Sequence, residues 1–437
     1  MPGTRLTLGK IFRFWIPLAS TWLMMAVEGP FLSAVIARLP EPKFNLAAYG
    51  VAFAFALFIE SPVIMMMSAA TALVGGRQAF FKLRNFAYGL SLGLTLIMVL
   101  LAIPPVFRLV GEGWIHLTPE VARRAHLAVV VLLPWPGAIG YRRFYQGILI
   151  RANLTRRVAY GTVIRLASMG SMALLLYALK VRPGVLVGAG ALSTGVVMEA
   201  LSSRWMVHGP LRAILHRNSR EDSPEELTLG RIVRFYYPLA LTSVLSLGVH
   251  PVVTFFLGQS RMALESLAAM PVVNALVFIF RSLGLSFQEV GIALMGDRWQ
   301  GYRMLKRFAA LLAAAVLLAL GGIAFSPLGL LWYRHVAGLS SSMAQFALLP
   351  TRIMALLPAL TVILSFQRAV LVCSRHTNPI SGATLLEVLA ILATLWLLVG
   401  LLNWIGIVAA ATAFVCGRLL ANLFLIQPVR RALRANR

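Results

Sequence analysis

Leu6–Ala19 reads LTLGKIFRFWIPLA, and Leu227–Ala240 reads LTLGRIVRFYYPLA. The two stretches lie 221 residues apart and agree at 10 of 14 positions. The offset persists without a gap. Pro30 meets Pro251, Leu46–Ala48 meets Leu267–Ala269, Ser61 meets Ser282, Gly75 meets Gly296 and Arg77 meets Arg298. Apolar composition alone would align a few Leu or Ala. It would not align Pro, Gly and Arg at one spacing, so the chain is a duplication. The same repeat separates the opening basic-then-apolar run from a secretory signal. That run recurs as the start of the second half, which marks it as a retained span.

What is repeated is a set of membrane helices. Of the 437 residues, 59% are hydrophobic and only 12% charged, and the mean hydropathy is +0.83. A soluble domain carries about 25% charged residues. The apolar residues fall in blocks of about 20, the length that crosses a bilayer as a helix. Six blocks are expected at about 14–37, 46–74, 86–110, 125–149, 158–179 and 184–207, and six more at 233–257, 267–295, 308–332, 343–373, 381–402 and 404–426. Pro350 and Pro358 are candidates to break the 343–373 block. The fold class is therefore all-α integral membrane, with about twelve spans in two six-helix bundles. The boundaries are 1–215, a cytoplasmic linker over 216–230 carrying HRNSREDSPEE, and 231–437. Six is an even number, so both halves cross in the same direction. They are expected to be parallel repeats around a central cleft.

The net charge of +26 would suggest nucleic acid in a soluble protein. Here the cations sit in the short connections, and no nucleic-acid partner is expected. On one side of the spans the connections and tails hold 23 Lys and Arg, and on the other 8. That bias places both termini in the cytoplasm of a multi-pass plasma (inner) membrane protein. Cys373 and Cys416 both lie in apolar stretches, so neither a disulfide framework nor a metal site is expected.

A charge in the hydrocarbon layer costs at least about 2.5–3.5 kcal/mol on insertion scales. Glu60 falls near the middle of the second span, and its repeat mate is Arg281 in the eighth. The pair reads either as partners for an ionic ligand or as structural ion pairs within each bundle. Glu28 precedes Gly29 and Pro30 in the first span. Pro30 frees a carbonyl one turn earlier and bends the helix, so Glu28 reads either as a proton or Na⁺ site or as a protonated packing residue. His250 precedes Pro251 at the equivalent expected bend of the seventh span and is a candidate proton partner or a packing histidine. Arg352 and Arg418 fall deep in their spans, whereas Arg142 and Arg143 read as snorkelling toward the cytoplasm. Several deep guanidiniums with few deep acids would favour an anionic substrate. Glu199, Glu289 and Glu387 have basic neighbours and read as structural. Gly89-Leu90-Ser91-Leu92-Gly93 matches GxSxG inside a span, without the strand-to-helix turn that an esterase needs. No Walker A, HExxH or GxGxxG pattern occurs, so neither an enzyme nor a nucleotide-driven pump is expected. No cofactor is expected beyond a coupling ion, H⁺ or Na⁺.

Two six-span repeats with basic openings and an early Pro resemble the multidrug and toxin extrusion (MATE) family. Its wider group includes lipid-linked oligosaccharide flippases and progressive-ankylosis-type exporters. Ala37-Arg38-Leu39 followed by Leu46–Phe53 (LAAYGVAF) is similar to the family's GRLG…LAAVGLAF stretch. Gln146–Arg151 (QGILIR) with Thr155-Arg156 is similar to its QGxLRGxGxTR run, and Arg375–Pro379 is an echo in the second half. Family members carry an Asp in the first span at a position that falls near Leu32 here, with Glu28 one turn earlier as the stand-in. The resemblance implies a secondary transporter, an antiporter or efflux protein that exports a small organic ion by alternating access and is coupled to H⁺ or Na⁺. The alternative on the same fold is an organic-anion or lipid-linked-substrate exporter. Its partners would be that small-molecule or lipid-linked substrate and the membrane lipids.

Overall fold

The computed structural model describes residues 6–216, 227–296, 299–374 and 378–435. Most of the expected linker, Arg298 of the repeat and the Arg375-His376-Thr377 part of the second motif lie outside the described residues. The first half contains α1 (Leu8–Ala26), α2 (Glu28–Ala37), α3 (Pro42–Glu60), α4 (Met66–Leu73), α5 (Arg77–Ala102), α6 (Pro104–Arg108), α7 (Pro119–Val131), α8 (Trp135–Arg151), α9 (Thr155–Ala178), α10 (Val185–Met206) and α11 (His208–Leu215). The second contains α12 (Leu229–Gly258), α13 (Ala263–Leu294), α14 (Tyr302–Phe325), α15 (Leu328–Leu331), α16 (Ser341–Met354), α17 (Leu357–Cys373), α18 (Asn378–Leu395) and α19 (Gly406–Ala435). The described residues form no strand, only an isolated bridge between Arg261 and Ile405.

Among the described residues, eleven helical segments are long and apolar enough to cross a membrane. The twelfth expected span, over 125–149, is interrupted. Leu132–Pro134 is a turn between α7 and α8, so each piece falls short of a full crossing. Proline cannot donate to the preceding turn, and the chain restarts with Pro136 in the first turn of α8. The equivalent break in the second half falls at Ala355-Leu356, ahead of Pro358, while Pro350 is carried inside α16. The first span divides at Val27 into α1 and α2, one turn before Pro30. α12 runs unbroken through both Pro238 and Pro251.

The repeat reappears as repeated hydrogen bonds. Ser61 Oγ donates to Phe58 O at 2.6 Å, and its mate Ser282 donates to Ile279 O at 2.6 Å. Thr21 donates to Pro17 O and Thr242 to Pro238 O. Each hairpin after the third and ninth spans ends in a turn of π-helix, Leu109–Trp114 and Trp332–Val336. Asn45 Oδ1 accepts from Val185 N, and at the matching position Ser266 Oγ accepts from Ile407 N. A short polar side chain thus ties the start of the second span to the start of the sixth in both halves, satisfying an amide that the helix start leaves open.

The compact units do not follow the halves of the sequence. One unit is 1–38 with 256–437, and the other is 39–255. The opening span of each half has been exchanged. In the first unit α1 packs on α13, and Trp15 Nε1 donates to Ser286 Oγ at 2.8 Å and to Leu283 O at 3.4 Å. In the second unit the mate of Trp15, Tyr236 on α12, donates its hydroxyl to Pro62 O at 2.5 Å. Pro62 and Leu283 are themselves repeat mates, so one buried aromatic donor serves the same carbonyl twice. Arg38 closes the first unit, donating to Ala34 O, His335 O and Val336 O at 2.7–3.0 Å.

Small residues set the helix spacing inside the second unit. Ser91 of the GxSxG pattern is buried against Gly140 of α8, which is helix packing. Gly147, from the QG motif, faces α4 so closely that a Cβ there would lie 2.6 Å from Ala70 Cβ. Gly147→Val is expected to cost several kcal/mol, since overpacking against backbone adds to the usual core penalty of about 1–3 kcal/mol. Monodisperse yield on size exclusion checks this, with Gly93→Val, which has open space at its Cβ, behaving as wild type.

Candidate substrate and ion site

Each unit buries a cluster of charges among repeat-equivalent helices. In the second unit these are α3, α8, α9 and α10. Glu199 on α10 is 1% exposed and Arg142 on α8 is 5% exposed. The Arg142 guanidinium donates to Glu199 Oε2. Gln146, one turn along α8, donates to Glu199 Oε1 at 3.0 Å. Arg165 on α9 reaches Glu199 Oε2 at 3.7 Å and lies over the Trp135 ring at 5.8 Å. Trp135 Nε1 in turn donates to Glu60 Oε2. A continuous polar chain therefore runs from Glu60 through Trp135 and Arg165 to Glu199 and Arg142. Arg143 stands beside it. Its Nη1 contacts Met67 Sδ at 3.8 Å, and its Nε is buried without a hydrogen bond. A thioether is a weak acceptor for a guanidinium.

In the first unit the matching helices are α13, α17, α18 and α19. Arg418 on α19 pairs with Glu387 on α18 at 2.8 Å. Arg368 on α17 donates to Thr384 Oγ1 at 3.2 Å. Arg281 on α13 has no hydrogen bond or ion pair among the described residues. Both Arg281 and Arg368 lie within electrostatic reach of Arg418 and Glu387. The Nε atoms of all three arginines are buried without partners, as are Gln367 Oε1 and Asn422 Oδ1. Gln367 is the repeat mate of Gln146. Where Gln146 meets a carboxylate, Gln367 Nε2 donates to the Asn422 carbonyl, at 3.1 Å.

The expected site residues are thus dispersed. Glu60 and Arg281 sit at equivalent places, each in its own cluster. Glu28 is half-buried and opens α2, where the helix dipole favours a carboxylate. Beside it, Gly29 brings α2 close to Ala275 of α13. His250 is half-buried on α12, and its carbonyl accepts from Thr254 at 3.0 Å. Arg352 belongs to neither cluster. It is exposed, donates from Nε to Ala324 O at 3.1 Å and covers Phe325, so it caps the end of α14. Arg142 does not snorkel: it is buried and ion-paired. No group of three or more His, Cys, Asp or Glu able to hold a metal occurs among the described residues.

By sequence, no family model and no curated protein matches the chain. Its structure does match solved structures. An inward-facing multidrug resistance MATE family transporter of the MOP superfamily superposes with a TM-score of 0.67 at 14% identity, over 95% of both chains. The lipid II flippase MurJ gives a TM-score of 0.72 at 15% identity, over 96% of this chain and 90% of that one. The fold is that of MATE transporters and of MurJ. A MOP superfamily transporter from Pyrococcus furiosus, described as having a binding pocket of reversed polarity, gives 0.61 at 15% identity over 99% and 97%. The expected resemblance therefore holds at the level of fold.

Proposed function

We propose that the chain is a secondary transporter that carries an anionic substrate across the plasma membrane by alternating access, with both termini cytoplasmic. The observation that carries this is the excess of deep guanidiniums over carboxylates. Among the described cluster residues, Arg142, Arg143 and Arg165 face Glu60 and Glu199, while Arg281, Arg368 and Arg418 face Glu387 alone. Burying uncompensated cations costs several kcal/mol each. The cost is recovered only when an anion is present, and guanidinium presents the planar fork that carboxylates and phosphates match. Export of an organic cation, one form of the small-ion reading on this fold, would place a cation among these cations. The pocket of reversed polarity attributed to the Pyrococcus furiosus transporter, and said to suggest a different function, supports the reading that pocket charge varies on this fold. The superposition on a lipid II flippase favours a lipid-linked anion as a second form of the same reading. Glu60 and Glu28 are the candidates for H⁺ or Na⁺ coupling, and no cofactor is required.

Proteoliposomes with an internal pH dye test this. Organic anions are expected to evoke flux in wild type, reduced at least about tenfold in Arg281→Gln, the loss that accompanies about 1.4 kcal/mol of binding. Glu60→Gln should uncouple anion movement from the dye response. Flux evoked by cations alone would overturn the anionic reading.

A further inference from the structure

The two clusters are repeats of one another, and the differences between them point to a missing partner. On α3 the second unit places Glu60, a carboxylate that accepts from Trp135 and lies within electrostatic reach of Arg142, Arg143 and Arg165. At the same repeat position on α13 the first unit places Arg281. The substitution removes an acceptor and adds a donor among helices that already hold Arg368 and Arg418. The second cluster has three guanidiniums and two carboxylates. The first has three guanidiniums and one, Glu387, which is committed to Arg418. The donors left over include the Nε of Arg281 and the Nε of Arg368, each buried without a partner. Unpaired guanidinium N–H groups taken out of water are costly.

We propose that the first unit binds a small oxyanion, a carboxylate or phosphate group, among α13, α17, α18 and α19. Arg281 and Arg368 are its principal donors, and Arg418 is held in place beside it by Glu387. An oxyanion suits the site better than a halide. The group it replaces in the sister unit is a carboxylate, and the donors are planar guanidiniums that pair with two oxygens at once. Glu387, by occupying Arg418, keeps that arginine from collapsing onto the anion's place. The inference deepens the anionic-transport reading, since the same site could hold a substrate's acidic group. It stands without transport if the oxyanion is a resident ligand.

The test is binding and stability of the full-length protein in detergent, at constant ionic strength, with phosphate, acetate or chloride as the only variable anion. A ligand that binds only the folded state raises the melting temperature. Phosphate or acetate is expected to raise it by on the order of 3 °C or more at saturation, and equilibrium binding of radiolabelled phosphate or acetate should report one site per chain. The larger shift of the two identifies which oxyanion the site prefers. Arg281→Gln and Arg368→Gln should each lose most of the shift. Arg281→Glu should restore the balance of the sister cluster: it should melt higher than Arg281→Gln without any oxyanion, and should no longer respond to one. Equal shifts with chloride and oxyanions, a shift that survives both glutamine variants, or an Arg281→Glu protein that still responds would overturn the proposal. If the Arg281 variants fail to fold, Arg368→Gln and the labelled-ligand measurement decide it. Oxyanion binding without anion flux in liposomes would keep this site and remove the transport reading. Anion flux without oxyanion binding here would do the reverse.

Discussion

Replacing Glu199 with alanine is expected to destabilise the protein by about 3–5 kcal/mol, the cost of breaking a buried ion pair from one side. Glu199 is the acceptor at the centre of its cluster. Its two oxygens take the Arg142 guanidinium and the Gln146 amide, and Arg165 approaches at 3.7 Å. The alanine variant leaves the three guanidiniums of the cluster with Glu60 as its remaining carboxylate. The large term is therefore the uncompensated charge and not the lost hydrogen bonds, which contribute about 0.5–1.5 kcal/mol each when neutral and more when charged. Chemical denaturation of the purified protein would give the figure, with Glu199→Gln as the control that keeps the shape and some acceptor capacity.

The direction of that effect can be separated from its cause by a second substitution. A buried pair is often replaceable by apolar residues of similar volume at little net cost. Arg142→Met combined with Glu199→Leu is expected to recover much of the loss, because the charge on each side is removed together. Residual destabilisation in the double variant then reports on Gln146 and Arg165, which still face the vacated position. A double variant as unstable as the single one would mean that Glu199 is needed for Arg165 and Gln146 more than for Arg142.

Much of this was legible in the residues, and the part that was not has a physical reason. The spans follow from length and hydropathy. The duplication follows from one offset, and Ser61 and Ser282 carry identical hydrogen bonds at that offset. Pro30 reads as a bend, and the first span divides one turn upstream, at Val27. At Pro251, read as the equivalent bend, α12 is not interrupted: proline removes one hydrogen bond, and packing decides whether the helix divides there. Depth along a span was a poor guide to partners. Arg142 lies near a cytoplasmic end by sequence and is paired with a carboxylate 57 residues away. Arg352 lies mid-block by sequence, but is exposed and caps α14. Hydropathy reports how far a residue is from a span's end, not which helix its side chain meets. The signal that could have found the clusters is the conjunction of Gln146 with Gln367 at the repeat offset, since a polar residue retained at one internal position in both halves marks a position where something must be hydrogen-bonded.

Separating the chain at its linker is expected to leave neither half folded alone and both folded together. Residues 1–220 expressed alone contain α1, whose buried face, with Trp15 and Ile11, belongs to a core made with α13, α14, α17 and α19. They also lack α12, whose Tyr236 is buried and donates to Pro62. The second half has the mirror deficiency, holding α12 without α3 and α5 to pack on. In a bilayer the hydrophobic effect does not drive helices together, so packing and interhelical hydrogen bonds carry the association, and each half would lose both along one of its spans. Co-expression of 1–220 with 221–437 supplies each unit with its exchanged span. The two fragments are therefore expected to co-purify through a tag on either one and to run as a single species near the size of the intact chain, while each fragment alone gives almost no monodisperse protein. Two substitutions sharpen the result. Trp15→Ala in the first fragment should weaken recovery of the second, because Trp15 Nε1 is the donor to Ser286 and Leu283, and Tyr236→Ala in the second fragment should weaken recovery of the first. Monodisperse, independently folded halves would mean that the six-helix bundles of the sequence are also the folding units, and that the exchange of α1 and α12 contributes little to holding either unit together.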